Sequence, residues 1–219
     1  FPILFDTSKV QKLNVLDGTY MPSTAYFGGY RVCAFLDPSE PKHARLKGLF
    51  FSILASRHDK FIPLFRSCLS ELFINIEDQV SDKGKSYFNT LSDSMSFDFV
   101  FRLFCDQNPL DTSIGSKGPT LVDKWLFFQL APLMTLGLPK LFNFLEDLLL
   151  HSIPLPPFLV KSSYKKLYNA FYESMSSSIF DEAQQRGIKR NEACHNLVFM
   201  AGFNAYGGMK TLFPALIKW

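Results

Sequence analysis

"GFNAYGGMKTLFP", residues 202–214, is the stretch on which the reading turns. It lies inside an apolar, helix-compatible run that begins at Lys189 or Asn191 and continues toward Trp219. Gly207 and Gly208 are adjacent, and Pro214 follows six residues later. A Gly-Gly pair in a helix interior costs roughly 2 kcal/mol against Ala-Ala. The polar group one turn earlier is the neutral amide of Asn204, where an acid would be the commoner choice for chemistry. Two readings follow. In one, the stretch is a packing flaw with a satisfied amide. In the other, the backbone must let a flat, bulky group come close, which only glycine allows. A widened helix turn would serve the second reading, and Pro214 adds a reason for a bend.

Working outward, the chain reads as mainly α. Residues 1–10 suggest a short helix or turn, and 11–37 a loop-rich stretch with Gly18, Pro22, Gly28 and Gly29. In "DPSEPKHARLKGLFFSIL" Asp37 or Ser39 can cap a helix, and Pro38 and Pro41 suit its first turn. That helix should run to about Leu54. Apolar residues at 61, 64, 65, 69, 72, 73, 76 and 80 give a 3.6-residue stripe that ends at Gly84. A further helix is expected over about 97–104, a loop over "DQNPLDTSIGSKGP", and a helix from Pro119 to about Leu130. Next comes a proline-broken apolar connection that includes "LLLHSIPLPPFLV". A long amphipathic helix is then expected over 160–186, closed by Gly187. No β alternation and no repeat appear.

Of 219 residues, 47% are hydrophobic, and 24 are Phe. Such a composition supplies a thick helical core or an apolar cavity for a hydrocarbon or a flat cofactor. The net charge of +3, spread along the chain, does not point to nucleic acid. Cys33, Cys68, Cys105 and Cys194 are far apart with no metal spacing, which predicts buried, reduced thiols. His43, His58, His151 and His195 show no metal spacing either. HExxH, GxSxG, GxGxxG and the P-loop pattern are absent. No stretch reads as a membrane span or signal peptide. The chain opens on Phe1 and stops at Trp219 within a helix, so both ends are expected to be cut. His43 and Lys47 lie at i, i+4 on one helix face. They form either a solvated basic face or a two-pronged clamp for an anion.

"TYMPSTAYFGGYRVCAFLDPSEPKHARLK", "GLPKLF", "LPPFLVKSSYKKLY" and "GFNAYGGMKTLFPALIKW" together resemble the plant cytochrome P-450 family that acts on fatty-acid hydroperoxides. Its members are hydroperoxide lyases, allene oxide synthases and divinyl ether synthases. The resemblance covers the whole chain. It implies a partial cytochrome P-450 fold, from the helix B region through helix I, as one fragment of a single domain (1–219). The cofactor implied is haem. The axial Cys and the ExxR motif would lie beyond Trp219, so none of the four cysteines is expected to be the metal ligand. The 219-residue chain alone is expected to be inactive, and a thiolate-haem absorption band from it would contradict that.

The same resemblance assigns roles. Oxygen-activating members carry an acid and an alcohol in the frame that here reads Ala201-Gly202-Phe203-Asn204-Ala205. A substrate that brings its own O–O bond needs neither, and a neutral Asn204 can hydrogen-bond it without a buried charge. Asn204, Ala205 and Leu16 are thus implied as catalytic. Lys12, His43, Lys47, Gly207 and Gly208 are implied as haem contacts, and Phe203 and Lys210 as substrate contacts. Many allene oxide synthases place Phe where Leu16 stands, and Ser or Thr where Ala205 stands. Both differences favour a lyase, whereas "GGMK" is more synthase-like. The expectation is therefore a lyase of the subgroup handling 9- and 13-hydroperoxides, with allene oxide synthase as the alternative. Without the resemblance, a helical lipid-binding domain would be the reading. No reductase is implied. "LLLHSIPLPPFLV" is a candidate membrane-surface contact, and a plastid or another intracellular membrane or lipid-body surface is the expected location.

Overall fold

A computed structural model of the chain describes residues 23–131, 137, 139, 142–146 and 155–218. The expected helix or turn at 1–10, the loop to Pro22, Leu16, Lys12 and His151 lie outside them. Among the described residues every regular element is helical. Two short 3₁₀ turns, Thr24–Phe27 and Cys33–Phe35, lead into α1 (Pro41–Ser56). Then follow α2 (Phe61–Lys83), α3 (Phe88–Cys105) and α4 (Gly118–Leu130). After a single turn at Asn143–Glu146 come α5 (Phe158–Ser174), α6 (Ser177–Gln185) and α7 (Arg190–Phe199). A π-helical segment, Met200–Tyr206, carries α7 directly into α8 (Gly207–Ile217).

Several boundaries follow from local chemistry as expected. Pro41 opens α1, where its missing N–H costs nothing. Gly84 ends α2 with φ 67°, and Gly187 lies at φ 69° past α6, both in the left-handed region. Pro119 stands in the first turn of α4. The capping expectation needs correction. Asp37 accepts from the backbone and hydroxyl of Ser39 in the preceding turn, and the α1 N-cap position is Glu40, without a side-chain cap bond. The Glu40 carboxylate is instead held by Arg31 and the Asp37 N–H.

Two helices differ in extent. α3 begins at Phe88, nine residues before the expected start, because its first half buries small serines: Ser92 and Ser96 are fully enclosed. A polar-looking stretch thereby makes a close helix contact. The expected helix over 160–186 is two helices. Met175 and Ser176 take extended backbone (ψ 136° and 145°), and Arg190 from the start of α7 stacks over Tyr172 and Phe180 on either side of the break.

The main core joins Phe27, Leu46, Phe101, Trp125, Leu167, Phe171, Leu197 and Tyr206. Phe27 meets Trp125 and Phe199 edge-on at 6.1 and 5.5 Å, favourable aromatic geometries. A smaller cluster of Cys68, Leu72 and Met95 seals α2 against α3, and Phe65, Phe99 and Phe213 pack on it. None of the four cysteines forms a disulfide among the described residues, and all four are buried. Burial pushes the Cys68 thiol up to about 11, and raises Cys105 and Cys194 as well.

Candidate functional site

The site is built around the π-helical turn. Gly202 makes that turn possible in its packed position. A Cβ there would sit 3.1 Å from Trp125 Cζ3 and 3.4 Å from Val122 Cγ1, tighter than ordinary contact, so a larger residue would press the segment against α4. Trp125 is itself fixed by donating Nε1–H to the Tyr26 carbonyl at 3.0 Å. The wide turn re-aims the residues after Gly202. Asn204 is exposed, and its amide makes no hydrogen bond among the described residues. Phe203 and Ala205 are half-buried, with Phe203 stacked on Phe199 at 5.0 Å. An added Cβ at Gly207 would meet the Gly202 carbonyl at 3.6 Å, and at Gly208 nothing within 4 Å. The widened turn expected from the Gly-Gly pair is therefore present, one turn upstream of the pair.

The opposite side of this helix is locked. Tyr206 is fully buried and donates its hydroxyl to Asp123 at 3.0 Å. Lys210, expected at the substrate, places its ammonium on Asp93 of α3 at 2.8 Å and Asp123 of α4 at 2.7 Å. Burial alone would lower the Lys210 pKa, but the two carboxylates together hold it above its ordinary value. Burial first, then the Asp123 carboxylate, raises Tyr206. These partners stand 87 and 117 residues from Lys210, so no local sequence signal reveals them.

The other expected contacts, His43 and Lys47, stand on α1. His43 is half-buried, and Lys47 is exposed with its ammonium 5.8 Å over the Phe51 ring. Among the described residues Lys47 makes no ion pair. The chain ties α1 to the long helix: the Cys33 thiol lies 3.8 Å from the His43 carbonyl, and the Cys33 N–H donates to Asn196 Oδ1 at 2.8 Å. Asn196 in turn donates to Glu192 within α7. Taken singly, three features suit a planar, anionic group: Lys47 on α1 is a cation without an ion pair among the described residues, the backbone at Gly208 is unencumbered, and Asn204 is an exposed neutral amide.

Reading the histidines by metal spacing missed His195. It is buried in α7, its Nδ1 is 2.6 Å from the Tyr164 hydroxyl, and Tyr168 stacks on it at 4.3 Å. Burial lowers its pKa to about 4. Tyr164 and Tyr168 at i, i+4 on α5 form the faint sequence trace of this cradle. Gly28, in the left-handed region at φ 64°, presses on the imidazole so closely that a Cβ would run into the ring. No group of His, Cys, Asp and Glu among the described residues has a metal-holding arrangement.

No family model matches the chain. Curated relatives match all of it. Allene oxide synthase 3 of Solanum lycopersicum is 58% identical over 220 residues, and the chain spans 45% of its length. Allene oxide synthase 1, chloroplastic, of the same plant is 52% identical, with 40% of its length spanned. A divinyl ether synthase of Nicotiana tabacum is 49% identical over 221 residues, with 46% spanned. The chain thus covers less than half the length of these relatives, each matched from one end of the chain to the other. Helix content, the frame around Asn204 and these matches agree: the chain belongs to the plant cytochrome P-450 family of allene oxide synthases and divinyl ether synthases.

Proposed function

We propose that the whole protein dehydrates a long-chain fatty-acid hydroperoxide to an allene oxide and water. The observation that carries this reading is the exposed, unbonded amide of Asn204 on the π-helical turn. Haem, when bound, supplies the iron chemistry that opens the O–O bond. His43 and Lys47 would hold a haem propionate, Lys47 as a charge-assisted donor. Gly207 and Gly208 keep the helix backbone low on that side. Asn204 donates an amide N–H to a hydroperoxide oxygen and orients it. Being uncharged, the amide incurs no ionic desolvation cost when substrate displaces water. Ala205 supplies no hydroxyl for a proton relay, and Phe203 offers an apolar wall to the chain of the lipid. Lys210 acts as a positioning residue, since its ammonium is committed to Asp93 and Asp123 and not to the substrate as expected. Neither dioxygen nor a reductase enters this scheme.

The names of the relatives support the synthase outcome above the lyase outcome expected from the sequence. A second reading, cleavage to an aldehyde and an oxo-acid, is favoured by Ala205 and by Leu16. Full-length protein supplied with linoleic acid 9-hydroperoxide separates the two. Ketols from hydrolysed allene oxide are expected, and C9 aldehyde with C9 oxo-acid as the main products would overturn the synthase reading. Four of the similar allene oxide synthases are named chloroplastic, which supports a plastid location. Exposed Phe144, Phe158 and Leu159 support contact with a membrane surface, although no described helix is long and apolar enough to cross one.

A further inference from the structure

A groove of about 680 Å³ opens between the first three turns of α5, the Ala25–Gly29 turn and His195. That volume lies within the roughly 300–1,000 Å³ of small-molecule sites. Asn204 is not among its lining residues. Phe158 and the rings of Tyr164 and Tyr168 give it an apolar wall. His195 closes the floor. Its Nδ1 is taken by Tyr164, and its Nε2 edge faces Gly28 with no partner among the described residues. Burial keeps this imidazole neutral at neutral pH, so the floor accepts an apolar chain without a charge to desolvate.

The rim has the opposite character. Lys161 and Lys165, four residues apart on α5, both line the groove, and both are exposed. Neither makes an ion pair among the described residues. The groove is thus apolar inside and positive at one edge, the complement of a single-chain amphiphile with an anionic head.

We propose that this groove binds a free long-chain fatty acid, its carboxylate on Lys161 and Lys165 and its chain against Phe158, Tyr164 and Tyr168. The site is separate from the one at Asn204. It rests on the proposed function only for the choice of a carboxylic lipid as the ligand class. Occupancy there holds a carboxylic lipid on α5 without placing it at the reacting centre.

The test uses the full-length haem-loaded protein and a diazirine-bearing palmitic acid, which cannot turn over. After irradiation, adducts are mapped by mass spectrometry. Labelling is expected on the peptide carrying residues 157–168. Palmitate should compete it away and methyl palmitate should not. The Lys161→Glu/Lys165→Glu variant should lose about tenfold of this labelling, as expected for reversing two ionic contacts. Its haem spectrum and labelling elsewhere should stay the same, which excludes misfolding. Absence of label on that peptide overturns the proposal. So does labelling that methyl palmitate competes equally, that the charge reversal leaves intact, or that phosphatidylglycerol vesicles but not palmitate displace. Product analysis with hydroperoxide is a separate readout, so failure of the groove and failure of the dehydration reading are told apart.

Discussion

Asn204, Gly202 and His195 each carry a distinct consequence. In the full-length enzyme Asn204→Leu should lower kcat by about two orders of magnitude, the usual effect of deleting one donor at a reacting oxygen. Haem content per protein, read from absorbance, should not change. Unchanged turnover would remove Asn204 from the mechanism. Gly202→Ala puts a methyl group against Trp125 and should cost about 1–3 kcal/mol in a denaturant titration, as overpacking does. His195 makes a pH-dependent contribution. Its folded pKa, about 4, is below the ordinary 6.5, so the unfolded chain binds the extra proton between those values. Stability from this residue is present above pH 6.5 and is lost as pH falls toward 4. Asp98, raised by burial to about 6, works in the opposite direction in nearly the same window. The total profile therefore hides the effect, and the difference between wild type and His195→Phe isolates it. The wild type should lose on the order of 2–3 kcal/mol more than the variant between pH 6.5 and 4. Equal losses would show that His195 titrates normally.

At the scale of elements, the π-helical turn and the helix it interrupts depend on tethers across the bundle. Lys210→Met leaves Asp93 and Asp123 facing each other beside Tyr206 without their shared cation. The ammonium is partly exposed, so the expected cost is about 1 kcal/mol, not the larger value of a fully buried pair. Adding Asp93→Asn and Asp123→Asn should recover most of it in a double-mutant comparison. A cost that persists in the triple variant would mean the Lys210 stem, not its charge, holds α8. Legibility divides along the same lines. The widened turn was readable because glycine and proline state backbone needs directly. The stripe of α2 and its Gly84 stop were readable because periodicity and the left-handed cap are local. The early start of α3 was not, since Ser92 and Ser96 look like surface until a neighbouring helix covers them. The break at Met175 and Ser176 was not, because Arg190, which stacks on the rings flanking it, comes from a later helix. Within the candidate site, Asn204 showed itself by being an amide in an otherwise apolar frame. The Lys210 tethers and the His195 cradle did not, since their partners come from α3, α4 and α5.

On the scale of the whole molecule, one chemical exchange organises the account. On the π-helical turn Asn204 and Ala205 present an amide and a methyl group, in keeping with a proposed substrate that carries its own activated oxygen. The core behind them, from Trp125 to Tyr206, is built to hold that turn in place. In the proposed scheme His43 and Lys47 of α1 and the bare backbone at Gly208 would complete the frame for a flat cofactor. The most direct test is turnover of linoleic acid hydroperoxide by the full-length, haem-loaded protein under argon, with no reductase or nicotinamide cofactor present. The account predicts that hydroperoxide disappears at the same rate as in air, with one water released for each allene oxide formed. A requirement for dioxygen and reducing equivalents would contradict it.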